Sequence, residues 1–186
     1  MAAESIYMAE RSDKHKETFQ HTGLKRDSWD LGHLSKHIVA ITTEIPVDIM
    51  KKMDKIGPWL ASQKLIPLDS AYSLTRYAIV IKMIAIDQAA RNLEKPDPEL
   101  MKLLTWDAVN TKKSSGARKN WKVKYRGMTS IPISTGVPEK IGEVMKTYAE
   151  MMEKSGMVKP ATPYSIGRYC IISVMVELEK NMGKVT

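Results

Sequence analysis

Seven cations stand between positions 112 and 126 with no acid among them: Lys112, Lys113, Arg118, Lys119, Lys122, Lys124 and Arg126. The chain carries a net charge of +8, and the segment 94–127 holds +5 of it, while residues 1–37 cancel at six basic and six acidic side chains. Charge so concentrated is an electrostatic footprint for a polyanion, although a solvated linker has the same composition. Lys122, Lys124 and Arg126 alternate with Trp121, Val123 and Tyr125. In an extended strand continuing through Gly127 they would share one face, suited to gripping phosphates. Other chemistry is poorly represented. His33 and His37 have the four-residue spacing of a helical metal pair, but no further ligand pattern accompanies them, so no metal is expected. No Gly-rich phosphate loop, nucleophile elbow or paired-carboxylate signature occurs. Cys170, the sole cysteine, lies among apolar residues and reads as core. Neither catalysis nor a cofactor is expected.

The elements that would position these groups come from a repeat. A shift of 92 residues aligns 38–92 with 130–184 without a gap and gives 11 identities in 55 positions, where composition alone gives roughly three. Thr43/Thr135, Pro46/Pro138, Tyr72/Tyr164, Ser73/Ser165 and Arg76/Arg168 are among them. We read this as an internal duplication. Each copy opens on an alternating segment, 39–45 or 131–137, that predicts a strand with one buried face. Pro46 or Pro138 follows, at the first position of a predicted helix. Apolar residues then recur at helical spacing, Ile49, Met53, Ile56 and Leu60 against Ile141, Met145, Tyr148 and Met152. Gly57-Pro58 should kink or shorten the first of these helices. After a connection near 64–68 or 156–160, a second helix is predicted, capped at Asp69 or Ser70 in one copy and at Thr162-Pro163 in the other. Its stripe reads Tyr72, Arg76, Ile79, Met83 and Ile86, repeated as Tyr164, Arg168, Ile171, Met175 and Leu178. The two arginines are expected to serve packing. Neither unit can bury its apolar face alone, whereas two can bury theirs against each other.

Strand, proline-started helix, turn and capped helix together resemble the ribbon-helix-helix family, known from repressors of the Arc and MetJ type. The likeness is carried by Ile41-Thr42-Thr43-Glu44-Ile45-Pro46 with Ser70-Ala71-Tyr72-Ser73-Leu74, and by Ile133-Ser134-Thr135-Gly136-Val137-Pro138 with Thr162-Pro163-Tyr164-Ser165-Ile166. It implies a mainly α fold with a short two-stranded antiparallel ribbon, formed here within one chain as an internally duplicated ribbon-helix-helix pseudo-dimer. It also implies double-stranded DNA as partner, the ribbon entering the major groove. The groove-facing set would be Ala40, Thr42, Glu44, Pro132, Ser134 and Gly136, small residues and one acid where such ribbons usually offer Arg, Lys, Asn or Gln. An asymmetric or weakly specific site is therefore expected. Ser70, Ser73, Thr162 and Ser165, at the starts of the second helices, would meet phosphates.

The division expected is an N-terminal arm 1–37, with a helix through 5–20, a first repeat 38–93, a helical and basic linker 94–127 and a second repeat 128–186. A linker helix over 96–111 is predicted, capped near Asp97, with Leu100, Met101, Leu103, Leu104 and Trp106 on its packing side. Hydrophobic content of 43% suffices for a core. No apolar run approaches membrane-spanning length, and the N-terminus lacks a signal-peptide pattern. These features lead us to expect a cytoplasmic, nucleoid-associated protein, or one associated with a virion or plasmid. The function expected is that of a DNA-binding regulator or DNA-processing accessory factor, with self-association along DNA. The alternatives are a structural DNA-coating protein with little sequence preference and an antitoxin-like interaction module.

Overall fold

The computed structural model describes residues 38–104 and 127–182. The arm 1–37 with its histidines, the run 105–126 with its cations, and residues 183–186 lie outside the described residues. The described residues are mainly helical, with one two-stranded antiparallel sheet among them.

The alternating segments form β1 (Ile38–Pro46) and β2 (Ser130–Pro138). Val39, Ile41, Thr43 and Ile45 are buried on one face of β1, and Ile131, Ile133, Thr135 and Val137 on the same face of β2. The ladder runs from Ile38 opposite Pro138 to Pro46 opposite Ser130, with Thr42 opposite Ser134 at its centre. Both prolines lie one position earlier than expected, capping the helices that follow, α1 (Val47–Ser62) and α4 (Glu139–Lys154). The long helices are α2 (Ala71–Ala90) and α5 (Pro163–Met182). Each strand and helix of the second half begins and ends 92 residues after its counterpart in the first. A short helix α3 (Pro98–Met101) and a 3-10 turn, Lys102–Leu104, follow α2.

Two expectations change here. Gly57-Pro58 does not shorten α1, which spans 16 residues, as many as the proline-free α4. Ile56 and Leu60, on either side of the pair, are buried in the core, and Gly57 sits so close to Asp69 and Leu74 that a side chain would collide with them. Packing over the whole helical face outweighs the one hydrogen bond proline removes. The linker helix is also broken early. Asp97 caps it, its carboxylate accepting from the Glu99 amide at 2.9 Å, but the α-helix ends at Met101, whose side chain is exposed rather than packed.

The helices pack across the halves. β1 lies against α5 and β2 against α2, α2 packs on α5, and α1 also meets α5 while α4 meets α2. One core therefore serves both halves, built from Ile41, Ile45, Met53, Leu60, Leu74, Ile79 and Met83 together with Val137, Ile141, Met145, Ile166, Ile171 and Met175. Polar ties join the halves at its margin. Tyr148 of α4 donates to buried Asp87 of α2 at 2.8 Å, and Arg91 holds the other Asp87 oxygen through Nε and Nη2 at 3.0 and 2.6 Å. Burial and then the Asp87 carboxylate push the Tyr148 phenol above its usual pKa range.

The approach of α5 to β1 depends on Gly167, where a Cβ would lie 2.6 Å from Ile41 Cγ2. Replacing it with Leu overpacks a filled site, at a cost of about 1–3 kcal/mol. Urea unfolding of Gly167→Leu is expected to show that loss as a lower midpoint at unchanged m-value.

Candidate nucleic-acid interface

With one face of the ribbon in the core, the other is left outward. Its ten positions are Ile38, Ala40, Thr42, Glu44 and Pro46 from β1, and Ser130, Pro132, Ser134, Gly136 and Pro138 from β2. Glu44 is the single ionisable side chain among them.

Of the residues expected on this face, Thr42 and Ser134 are brought together at its centre, their hydroxyl oxygens 3.0 Å apart and hydrogen-bonded. Glu44 is half-buried opposite Pro132, and the Ser130 hydroxyl donates to its Oε2 at 3.3 Å. Gly136 differs from expectation: it is buried, not open. A Cβ added to it would lie 2.5 Å from Ile38 Cγ2 and 2.9 Å from the Tyr72 hydroxyl. Tyr72 thus reaches from the first turn of α2 onto the ribbon's outward side. Sequence spacing placed it on the packing stripe of α2, and nothing in a helical period could report that its ring ends beside a glycine of the other half.

What fixes the ribbon on the long helices is a reciprocal pair of bonds from the inward face. Thr43 Oγ1 donates to the Tyr164 carbonyl at 2.9 Å, and Thr135 Oγ1 donates to the Tyr72 carbonyl at 3.0 Å. Each threonine sits 92 positions from the other, and so do the tyrosines. The identities Thr43/Thr135 and Tyr72/Tyr164 mark these contacts. Val in place of either threonine keeps the shape and removes the bond. Each change is expected to lower unfolding stability by about 1 kcal/mol in chemical denaturation.

The hydroxyls expected to meet phosphates at the helix starts are engaged in capping. Ser70 Oγ accepts from the Ser73 amide at 3.2 Å and donates to Ser73 Oγ at 2.9 Å, and both serines are buried. The α5 start is more open. Thr162 Oγ1 accepts from the Ser165 amide at 3.2 Å, and Ser165 Oγ accepts from the Thr162 amide at 2.9 Å, with both residues half-buried and Tyr164 exposed. This reciprocal arrangement resembles a capping box and leaves neither hydroxyl idle. Arg76 is buried and Arg168 half-buried, each one turn into its long helix.

Lys112, Lys113, Arg118, Lys119, Lys122, Lys124 and Arg126 lie outside the described residues. The residue that follows them is informative. Gly127 has φ of 80° and stands in a turn, and β2 starts only at Ser130. The unbroken strand through Gly127, which would have put Lys122, Lys124 and Arg126 in phase with Ser134, is therefore not formed.

Among the described residues, no group of three or more His, Cys, Asp or Glu side chains could hold a metal ion. No described helix is long and apolar enough to cross a membrane. Cys170 is enclosed in α5 with its sulfur 3.7 Å from that of Met83, and burial pushes the thiol up to about 12. A thiol so protonated is a poor nucleophile. In the native protein at pH 8 it is expected to resist a maleimide and to react at the ordinary rate once urea unfolds the chain; prompt native labelling would contradict its enclosure. No family model, curated protein or solved structure matches the chain.

Proposed function

We infer that the chain is an internally duplicated ribbon-helix-helix pseudo-dimer that binds double-stranded DNA. The observation that carries this reading is the ladder. Thr42 pairs with Ser134, its own counterpart in the 92-residue repeat, so the shift that aligns the sequences also maps the strand pairing onto itself. A two-stranded antiparallel ribbon backed on one face by helices is a form that the major groove, about 12 Å wide, admits. Nine residues per strand give a ribbon about 30 Å long. Its outward side carries only short side chains along the middle, so close approach to base edges meets no bulk.

Affinity, on this reading, comes from outside the ribbon. The seven cations of 112–126 supply the positive charge that the ribbon lacks, and phosphate contacts of this kind position a protein without reading sequence. The functional role is that of a regulator or DNA-processing accessory factor. A structural coating role is the second reading, favoured by one observation: none of the ten outward positions is Arg, Lys, Asn or Gln.

The test is binding to random-sequence duplex DNA across a salt series, with Lys122, Lys124 and Arg126 changed together to Ala for comparison. Wild type is expected to bind with a steep negative dependence of log K on log salt. The triple variant should reduce that slope by about 2.7 if all three contact phosphate. Cooperative binding without preference among sequences would select the coating role, and absence of binding at low salt would exclude both.

A further inference from the structure

The outward face of the ribbon breaks the symmetry that its inward face keeps. Inward, counterparts across the 92-residue shift are alike: Val39 and Ile131, Ile41 and Ile133, Thr43 and Thr135, Ile45 and Val137. Outward, Glu44 corresponds to Gly136 and Ile38 to Ser130. The antiparallel register gathers these differences at opposite ends. At one end Glu44 faces Pro132, next to Ser130, whose hydroxyl donates to the carboxylate at 3.3 Å. At the other, Ala40 faces Gly136 beside Ile38, and the Tyr72 hydroxyl lies over the glycine. Between them the Thr42 and Ser134 hydroxyls bond to one another at 3.0 Å. The ribbon thus has a carboxylate end and an end whose own side chains are aliphatic, flanked by the Tyr72 hydroxyl, joined by a small neutral centre.

Base edges in the major groove distinguish these ends. A carboxylate accepts from the exocyclic amino group of cytosine and repels the acceptor atoms of guanine, while aliphatic groups favour the C5-methyl of thymine. Resting on the DNA-binding reading above, we propose that the ribbon recognises two unlike half-sites. The Glu44 end takes a cytosine amino group, and the Ile38–Ala40 end takes a thymine methyl. The preferred duplex is non-palindromic, and the protein lies on it in one orientation. Glu44 is the specificity-determining residue of the first half and the Ile38–Ala40 pair that of the second.

The experiment is selection of binding sites by the full chain from a random duplex library, followed by affinities for the selected site and its variants. The site is expected to be non-palindromic, with cytosine enriched in one half and thymine in the other. Glu44→Gln should lower the preference for cytosine in its half by about tenfold, with adenine gaining, since glutamine pairs with the adenine edge. The thymine half should be unchanged by it. Replacing the selected thymine by uracil, which deletes only the methyl, should weaken wild-type binding by about threefold to fourfold. A palindromic site, a flat preference, or a Glu44→Gln variant that selects the same bases in both halves would overturn the inference and leave DNA binding standing. No duplex binding in the same assay would overturn both.

Discussion

The pairing of β1 with β2 governs this molecule because, among the described residues, neither strand has any other partner in the sheet. A lone nine-residue strand would present its buried face, and its backbone amides and carbonyls, to nothing that could satisfy them. Pairing settles the backbone and, in the same step, lines up eight inward side chains as one surface. The register has little freedom. A slip of β1 by one residue would turn Ile41 and Ile45 outward and bring Thr42 and Glu44 into the core, and the same slip of β2 would expose Ile133 and Val137 and bury Ser134. It would also separate Thr43 and Thr135 from the carbonyls of Tyr164 and Tyr72, the bonds that seat the ribbon on the two long helices.

From the exchanged seating follows the architecture. Because β1 rests on α5 and β2 on α2, neither half closes its own core, and the long helices meet each other beneath the ribbon. The energy of this arrangement lies mostly in aliphatic and thioether side chains removed from water. The ion pairs across the halves, Lys82 with Glu177 at 2.8 Å and Lys52 with Glu179, lie at partly exposed positions. Such pairs contribute modestly, about 1 kcal/mol or less each. Gly167 matters more than either, since it sets how near α5 can come to Ile41.

The same exchange explains which features were legible in the sequence. Period-two alternation and helical stripes are local, and they located both strands and all four main helices. The 92-residue shift gave the counterparts, down to the threonines and tyrosines that bond across the halves. What sequence reading missed depends on contacts between distant segments. Gly57-Pro58 reads locally as a breaker, but the buried Ile56 and Leu60 on either side keep the helix whole. Ser70 is legible as a cap of α2, but the burial of Ser70 and Ser73 comes from packing against distant segments that no local signal reports. Gly136 reads as an open position, and only the fold brings Tyr72 and Ile38 over it. Gly127 could have continued a strand, and its positive φ decides otherwise.

On the DNA-binding reading, the ribbon's composition separates two tasks that ribbon side chains often perform together. A face whose one ionisable group is Glu44 opposes the phosphate backbone instead of attracting it, so it adds nothing to counterion release. In the proposed complex the salt dependence therefore counts cations elsewhere in the chain, and the ribbon governs only discrimination. A carboxylate in the groove tolerates few base edges and acts largely by exclusion, which is a form of selectivity that lowers affinity for the wrong site more than it raises affinity for the right one. In that complex the hydrogen bond between Thr42 and Ser134 would engage one of the two hydroxyl protons and leave the other for a base, so the centre of the ribbon would discriminate less than its ends. In that complex selectivity would be left to the two ends, where Glu44 differs from Gly136 and Ile38 from Ser130 across the 92-residue shift.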